Sequence, residues 1–194
     1  MVKRLKDEER PVPTPSQGPF NASPLPPLES SLQFLNRQRN RRLDVARLRR
    51  LTTEALTRLG VRQWNLTFCF VGARTMASLN ETHLGHPGPT DVLTFDYTEG
   101  EARNGKRETI HAKPETRNPK PGILIGEIFI CVPVAVAQAG EFGTPWREEV
   151  LRYILHGCLH LCGYDDLTPA ARRVMKRRED QLLRALQSPH RKGR

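Results

Sequence analysis

His156-Gly157-Cys158-Leu159-His160-Leu161-Cys162-Gly163-Tyr164-Asp165-Asp166 is the stretch on which the reading of this chain turns. On a helix, His156 and His160 stand one turn apart on one face, close enough to grip a single ion. Gly163 supplies the left-handed residue that ends a helix and turns the chain back. Beyond that turn Asp166 offers a third ligand, completing a His-x3-His-x5-Asp spacing. Two imidazoles and a carboxylate leave at least one coordination position open, as catalytic zinc sites do and closed structural ones do not. The same donors also suit iron, manganese or nickel. A zinc protease of the His-Glu-x-x-His type carries its general base directly after the first histidine. Here that place is Gly157, so the metal grip is present without the peptidase base. Cys158 and Cys162 each follow a histidine by two residues, nearly the opposite side of a helix, and are read as core packing.

The stretch resembles the hallmark of the YbeY family of bacterial rRNA-maturation endoribonucleases, His-Gly-x-Leu-His-Leu-x-Gly-Tyr-Asp-His. The chain matches every fixed position until the last, where Asp166 replaces histidine. Carboxylate oxygen binds zinc well, so the change is tolerable chemistry that adds a negative charge to the site. Pro89-Thr90-Asp91-Val92-Leu93-Thr94-Phe95 is similar to the family's Pro-Thr-Asp-Val-Leu-Ser-Phe. From its chemistry alone this is a strand with a polar entrance. The resemblance places it, with Thr90 and Asp91, at the rim of a substrate cleft. Ile123–Cys131 resembles the family's Leu-Gly-Asp-Ile strand, with Glu127 for aspartate. A carboxylate in so apolar a run needs a partner. It is either a structural acceptor for neighbouring backbone, the preferred reading, or a group facing the cleft.

One departure bears on activity. Family members usually carry an arginine five residues before the proline of that second motif, a residue considered important for RNA cleavage. Here the position is Leu84, flanked by His83 and His86. An arginine can stabilise charge developing on phosphate oxygens, and leucine cannot.

The resemblance covers roughly Leu32 to Ala185. It implies a single-strand-specific, zinc-dependent endoribonuclease acting in rRNA maturation at the 16S 3′ end and in ribosome quality control. One Zn2+ ion would be held by His156, His160 and Asp166. The partners implied are rRNA and the ribosomal small subunit or its assembly factors. Leu84 motivates an alternative, a non-catalytic rRNA-binding assembly factor that keeps the metal site. A metallopeptidase is disfavoured by Gly157. No residue is identified as the general base.

Composition supports a polyanionic partner. The formal net charge is +10 over 194 residues, the balance expected of a protein that meets RNA. Arginines cluster at 37–42 and again, with Lys176, at 172–178; Arg191, Lys192 and Arg194 make a basic tail. No stretch is apolar for long enough to span a bilayer. The charged, proline-led N-terminus does not read as a secretory signal, so a cytoplasmic protein is expected. The four cysteines have no framework spacing and are expected as reduced, buried thiols.

The chain divides into a Pro-rich extension (1–30) expected to be disordered, a single domain (31–187) and the basic tail (188–194). Within the domain, strands are expected at Ser31–Asn36, Leu66–Val71, Pro89–Phe95 and Ile123–Cys131. The last is apolar on both faces and therefore central. Helices are expected from Asp44 to Leu59, as a short turn over Thr75–Asn80, over Pro133–Gly140, from a Thr144 cap with Pro145 at its first position, and after Thr168-Pro169. In the last helix Ala171, Val174, Met175, Leu182 and Leu186 face inward. Between Thr98 and Gly122 lies a long polar loop whose Lys106, Arg107, Lys113, Arg117 and Lys120 suit an RNA-contacting flap. The fold class is α/β in the loose sense (α+β): a small mixed sheet of about four strands surrounded by helices, resembling a metal hydrolase.

Overall fold

The structure, a computed structural model, describes residues 29–98 and 122–188. The Pro-rich segment up to residue 28, the basic flap residues and the tail from residue 189 lie outside the described residues.

Four strands form one mixed sheet in the order β1-β2-β4-β3: β1 (Ser31–Asn36), β2 (Gln63–Val71), β3 (Val92–Asp96) and β4 (Ile123–Cys131). β1, β2 and β4 run parallel, and β3 closes the far edge antiparallel to β4. β4 is therefore interior, as its two-sided apolar sequence predicts. β2 starts earlier than its alternating core suggests, because Trp64 and Asn65 extend the ladder opposite Leu124 and Ile125.

Five helices surround the sheet: α1 (Val45–Arg58), α2 (Ala73–Leu84), α3 (Val132–Phe142), α4 (Trp146–Leu161) and α5 (Pro169–Gln187). Asp44 caps α1, its carboxylate accepting from the Arg47 amide. Thr168 caps α5 in the same way through Ala171, with Pro169 at the first position. Two expectations about helix limits need correcting. The short turn at 75–80 is a full helix of 12 residues closed by Gly85 at φ 69°. Met76 and Asn80 are buried in it, and Asn80 Nδ2 donates to Gly88 O at 2.9 Å, tying down the loop that follows. At α4 the cap position belongs to Pro145, while the Thr144 hydroxyl bonds to Glu149 Oε1 at 3.0 Å and caps nothing.

α4 is the hinge of the architecture. Val150, Tyr153, Ile154, Cys158 and Leu161 pack with Phe68, Phe70, Ile128 and Ile130 of the sheet. Leu151, Leu155 and Leu159 pack outward against Leu51 and Ala55 of α1 and against Met175, Leu182, Leu183 and Leu186 of α5. A helix apolar on two sides is an interior helix. The opposite sheet face carries a third cluster of Cys69, Val71, Leu93, Phe95 and Cys131 beneath Met76 of α2. Val174, expected inward, is 57% exposed. The inward stripe of α5 runs instead through Met175, Glu179, Leu182, Leu183 and Leu186.

Candidate metal centre

Four polar residues of α4 fall on one line. Glu149, Arg152, His156 and His160 recur at spacings of three and four, a single stripe between two apolar faces. Gly157 lies off this stripe, against β4: a Cβ there would meet Ile128 Cγ2 at 2.7 Å. Helix and strand touch directly at that point, so the glutamate base of a His-Glu-x-x-His peptidase would have no room. Gly163 follows the helix at φ 88°, where its missing Cβ permits the left-handed turn. The turn brings Asp166 back to the histidines.

Both imidazoles are oriented from behind. His156 Nδ1 lies 3.2 Å from Glu179 Oε2, and His160 Nδ1 lies 3.1 Å from the Tyr164 carbonyl. A carboxylate and a carbonyl only accept, so each Nδ1 carries the hydrogen and each Nε2 presents a lone pair. Those two Nε2 atoms are 3.1 Å apart. Two lone pairs at that separation repel unless a cation or a proton lies between them. An ion with tetrahedral bonds of zinc–imidazole length separates its nitrogens by about 3.3 Å. Asp166 Oδ2 lies 3.9 Å from His156 Nε2, and the three ligand atoms all fall within 4.8 Å of one another. The donor set therefore fits one divalent ion.

Charge is distributed to the same end. Burial alone would lower the His156 pKa, but the hydrogen bond and charge of Glu179, then the charges of Asp91 and Asp166, raise it above the ordinary value. Burial lowers His160, and the neighbouring His156 lowers it further.

The sequence profile described as Endoribonuclease YbeY matches residues 33–187. The chain belongs to the YbeY family. A Salinibacter ruber protein named Endoribonuclease YbeY is 33% identical over 147 residues, 76% of this chain and 86% of that protein. A Chlorobium luteolum protein of the same name is 32% identical over 155 residues, 80% of this chain and 97% of its own length. Among solved structures, the solution structure of a Thermotoga maritima protein superposes with a TM-score of 0.50 at 19% identity, covering 84% of this chain and 100% of that one, a likeness of fold.

The other residues singled out in the sequence lie apart from the two histidines. Thr90 and Asp91 stand at the entrance of β3. The Thr90 hydroxyl donates to Asp91 Oδ1 at 3.0 Å, and the Val92 amide donates to the same oxygen at 2.9 Å. The Asp91 carbonyl accepts from the Cys131 amide at 2.8 Å, fixing it at the end of β4, and its carboxylate charge reaches His156. Glu127 points the other way. Gly126 faces Leu161 and Ile128 faces Gly157, so the alternating residue between them turns from α4. Its Oε2 accepts from the Tyr97 hydroxyl at 3.1 Å, a side-chain partner in place of a backbone one. Leu84 is the last residue of α2, packed against the third cluster on that far face, and His83 stands edge-on to Phe95 at 4.9 Å. His86 is exposed.

Sequence reasoning missed Glu179. It is 6% exposed and reaches His156 from α5. The signal was present: Glu179 is the one acid on a stripe of Met175, Leu182, Leu183 and Leu186. An acid at a core position of an amphipathic helix requires a buried partner. Arg152 on the facing helix is half of that partnership, at 2.7 Å from Glu179 Oε1. Cys158 is fully buried among the core apolar residues, and Cys162 packs against the same cluster.

Proposed function

We propose that this chain is a metal-dependent endoribonuclease acting on single-stranded RNA in the cytoplasm, in rRNA maturation at the 16S 3′ end and in ribosome quality control. The observation that carries the reading is the convergence of His156 Nε2, His160 Nε2 and Asp166 Oδ2 in a chain of the YbeY family. These three residues would hold one zinc ion, which when bound polarises a phosphate oxygen or lowers the pKa of water. The protein's own groups do the rest. Glu179 and the Tyr164 carbonyl keep both Nδ1 hydrogens turned away from the reacting side. Asp166, with its side chain 37% exposed, leaves that side open to a large substrate. Arg172, Arg173, Lys176 and Arg177 are exposed along α5, and the Arg172 Nε donates to the Asp166 carbonyl at 3.2 Å, so the basic face begins at the metal ligand itself. Such a face suits the phosphate backbone of rRNA, alone or within the small subunit and its assembly intermediates.

Leu84 favours a second reading. Its side chain is committed to an apolar cluster and places no cation near a phosphate. In that reading the protein binds rRNA as an assembly factor and leaves it whole.

The test is cleavage of a structured rRNA fragment by the purified protein, with and without a chelator, alongside H156A. Chelator-sensitive cutting absent from H156A supports the nuclease. Salt-dependent binding without cutting by zinc-loaded protein overturns it in favour of the assembly factor.

A further inference from the structure

The carboxylate of Glu179 is divided between two partners. Its Oε1 accepts from Arg152 Nη1 at 2.7 Å, and its Oε2 faces His156 Nδ1 at 3.2 Å. The same Arg152 nitrogen reaches Asp180 Oδ1 at 2.7 Å, and its Nε lies 3.6 Å from Glu149 Oε2. Arg152 thus fixes Glu179 from one side, which leaves its second oxygen a single direction in which to act. Three carboxylates surround one guanidinium, so the cluster carries an excess of negative charge behind His156. With its side chain only 8% exposed, Glu179 is poorly served by water. An ionised carboxylate so buried needs all of its acceptors used. His156 is the group that uses the second one.

We propose that Glu179, held in place by Arg152, is the positioning residue of the metal centre. It fixes His156 with the hydrogen on Nδ1 and the lone pair of Nε2 aimed at His160 and Asp166, and so sets the affinity of the site for a divalent cation. The inference rests on the metal-centre reading above and is independent of whether RNA is cut. It also gives α5 a role. Because Glu179 lies on α5 and His156 on α4, the packing of Met175, Leu182 and Leu183 against Leu151, Leu155 and Leu159 holds the carboxylate at its working distance. Carboxylates behind metal-bound histidines fix ring orientation and raise ligand basicity, and their loss weakens metal binding 10- to 100-fold in general.

The experiment titrates zinc, in competition with a chromophoric chelator, into full-length wild type, E179A, E179Q, R152M and E179A/R152M, each first checked for cooperative unfolding. E179A is expected to bind zinc about 10- to 100-fold more weakly, with E179Q between it and wild type because an amide oxygen still accepts from Nδ1. R152M, which removes a residue that touches no ligand atom, is expected to weaken zinc as well, and to add nothing in the E179A background. A folded E179A within twofold of wild type overturns the proposal, as does a full additional loss in the double variant. Nitrogen-15 spectra of zinc-loaded wild type supply a check that needs no variant. Zinc on Nε2 with a protonated Nδ1 at His156 supports the proposal, and zinc on Nδ1 overturns it. A wild type that binds no zinc removes the metal reading and this inference together, whereas a wild type that binds zinc and cuts no RNA leaves Glu179 in its assigned role.

Discussion

His156 Nε2 and His160 Nε2 face each other across 3.1 Å at the end of α4, with Asp166 Oδ2 3.9 Å from the first of them. Such an arrangement is repulsive alone and favourable around a cation, so zinc should stabilise the folded state. At a free concentration a hundredfold above the dissociation constant the gain is about 2.7 kcal/mol, or roughly 5 to 10 °C in the melting temperature of a domain this size. Calorimetry of wild type and H160A with and without zinc checks it. H160A should melt close to metal-free wild type and show no zinc shift.

Close packing at Gly157 makes a second prediction. G157A gains about 1 kcal/mol of helix propensity but drives its methyl against Ile128 Cγ2, 2.7 Å away. Overpacking of this kind costs about 1–3 kcal/mol, so denaturant midpoints should fall. In G157A/I128A the two losses should sum to less than their separate values, since the second change opens the space the first one needs. G126A should be worse tolerated, because its Cβ would meet the Phe95 carbonyl oxygen at 2.5 Å, and backbone yields less readily than a side chain.

The thiols set an alkaline limit. Burial raises the pKa of Cys69, Cys131 and Cys158, and lifts Cys162 from 9.0 to about 11. A thiol whose folded pKa is raised contributes stability that is fully present below the unfolded value and is lost as pH climbs toward the folded one. Stability should therefore fall between pH 9 and pH 11, by at most about 1.4 kcal/mol per pH unit for each thiol. Urea midpoints across that range measure it. At neutral pH all four thiols should react with a thiol-specific disulfide reagent far more slowly in the native protein than in the unfolded one.

The exposed cations of α5 should govern RNA affinity through salt. Replacing Arg172, Arg173, Lys176 and Arg177 by alanine removes up to four phosphate contacts from an exposed helix face. Binding to single-stranded RNA should weaken at low salt, and the slope of log affinity against log salt should flatten by up to about 3. Filter binding at several salt concentrations is the check. The melting temperature should hardly change, since none of the four is buried.

Much of this was written locally. The strands at Ser31–Asn36 and Ile123–Cys131 have the bounds their apolar patterns imply, and the caps at Asp44 and Thr168 form as their chemistry requires. The clustering of His156, His160 and Asp166 was legible because a helix brings residues four apart to one face, and Gly163 turns the chain so that Asp166, three residues on, returns to them. α2 was underestimated because its helix is stabilised by burial of Met76 and by the Asn80 bond to Gly88, neither of which is a local propensity. Val174 was misplaced for a related reason: choosing between neighbouring stripes on α5 depends on which helix it meets.

The sequence alone determined the periodicities, the turn at Gly163 and the spacing of His156, His160 and Asp166, all consequences of geometry within one segment. Only the tertiary structure decided what stands behind those side chains. Arg152 and Glu179 lie 27 residues apart and His156 and Glu179 lie 23 apart, and no local rule couples them. The sheet likewise decided that Glu127 turns to the face away from α4 and the histidines. The side it takes follows from the antiparallel register of β3 on β4, which pairs Phe95 with Glu127 and Thr94 with Ile128. A register is a relation between two strands, and neither strand states it alone.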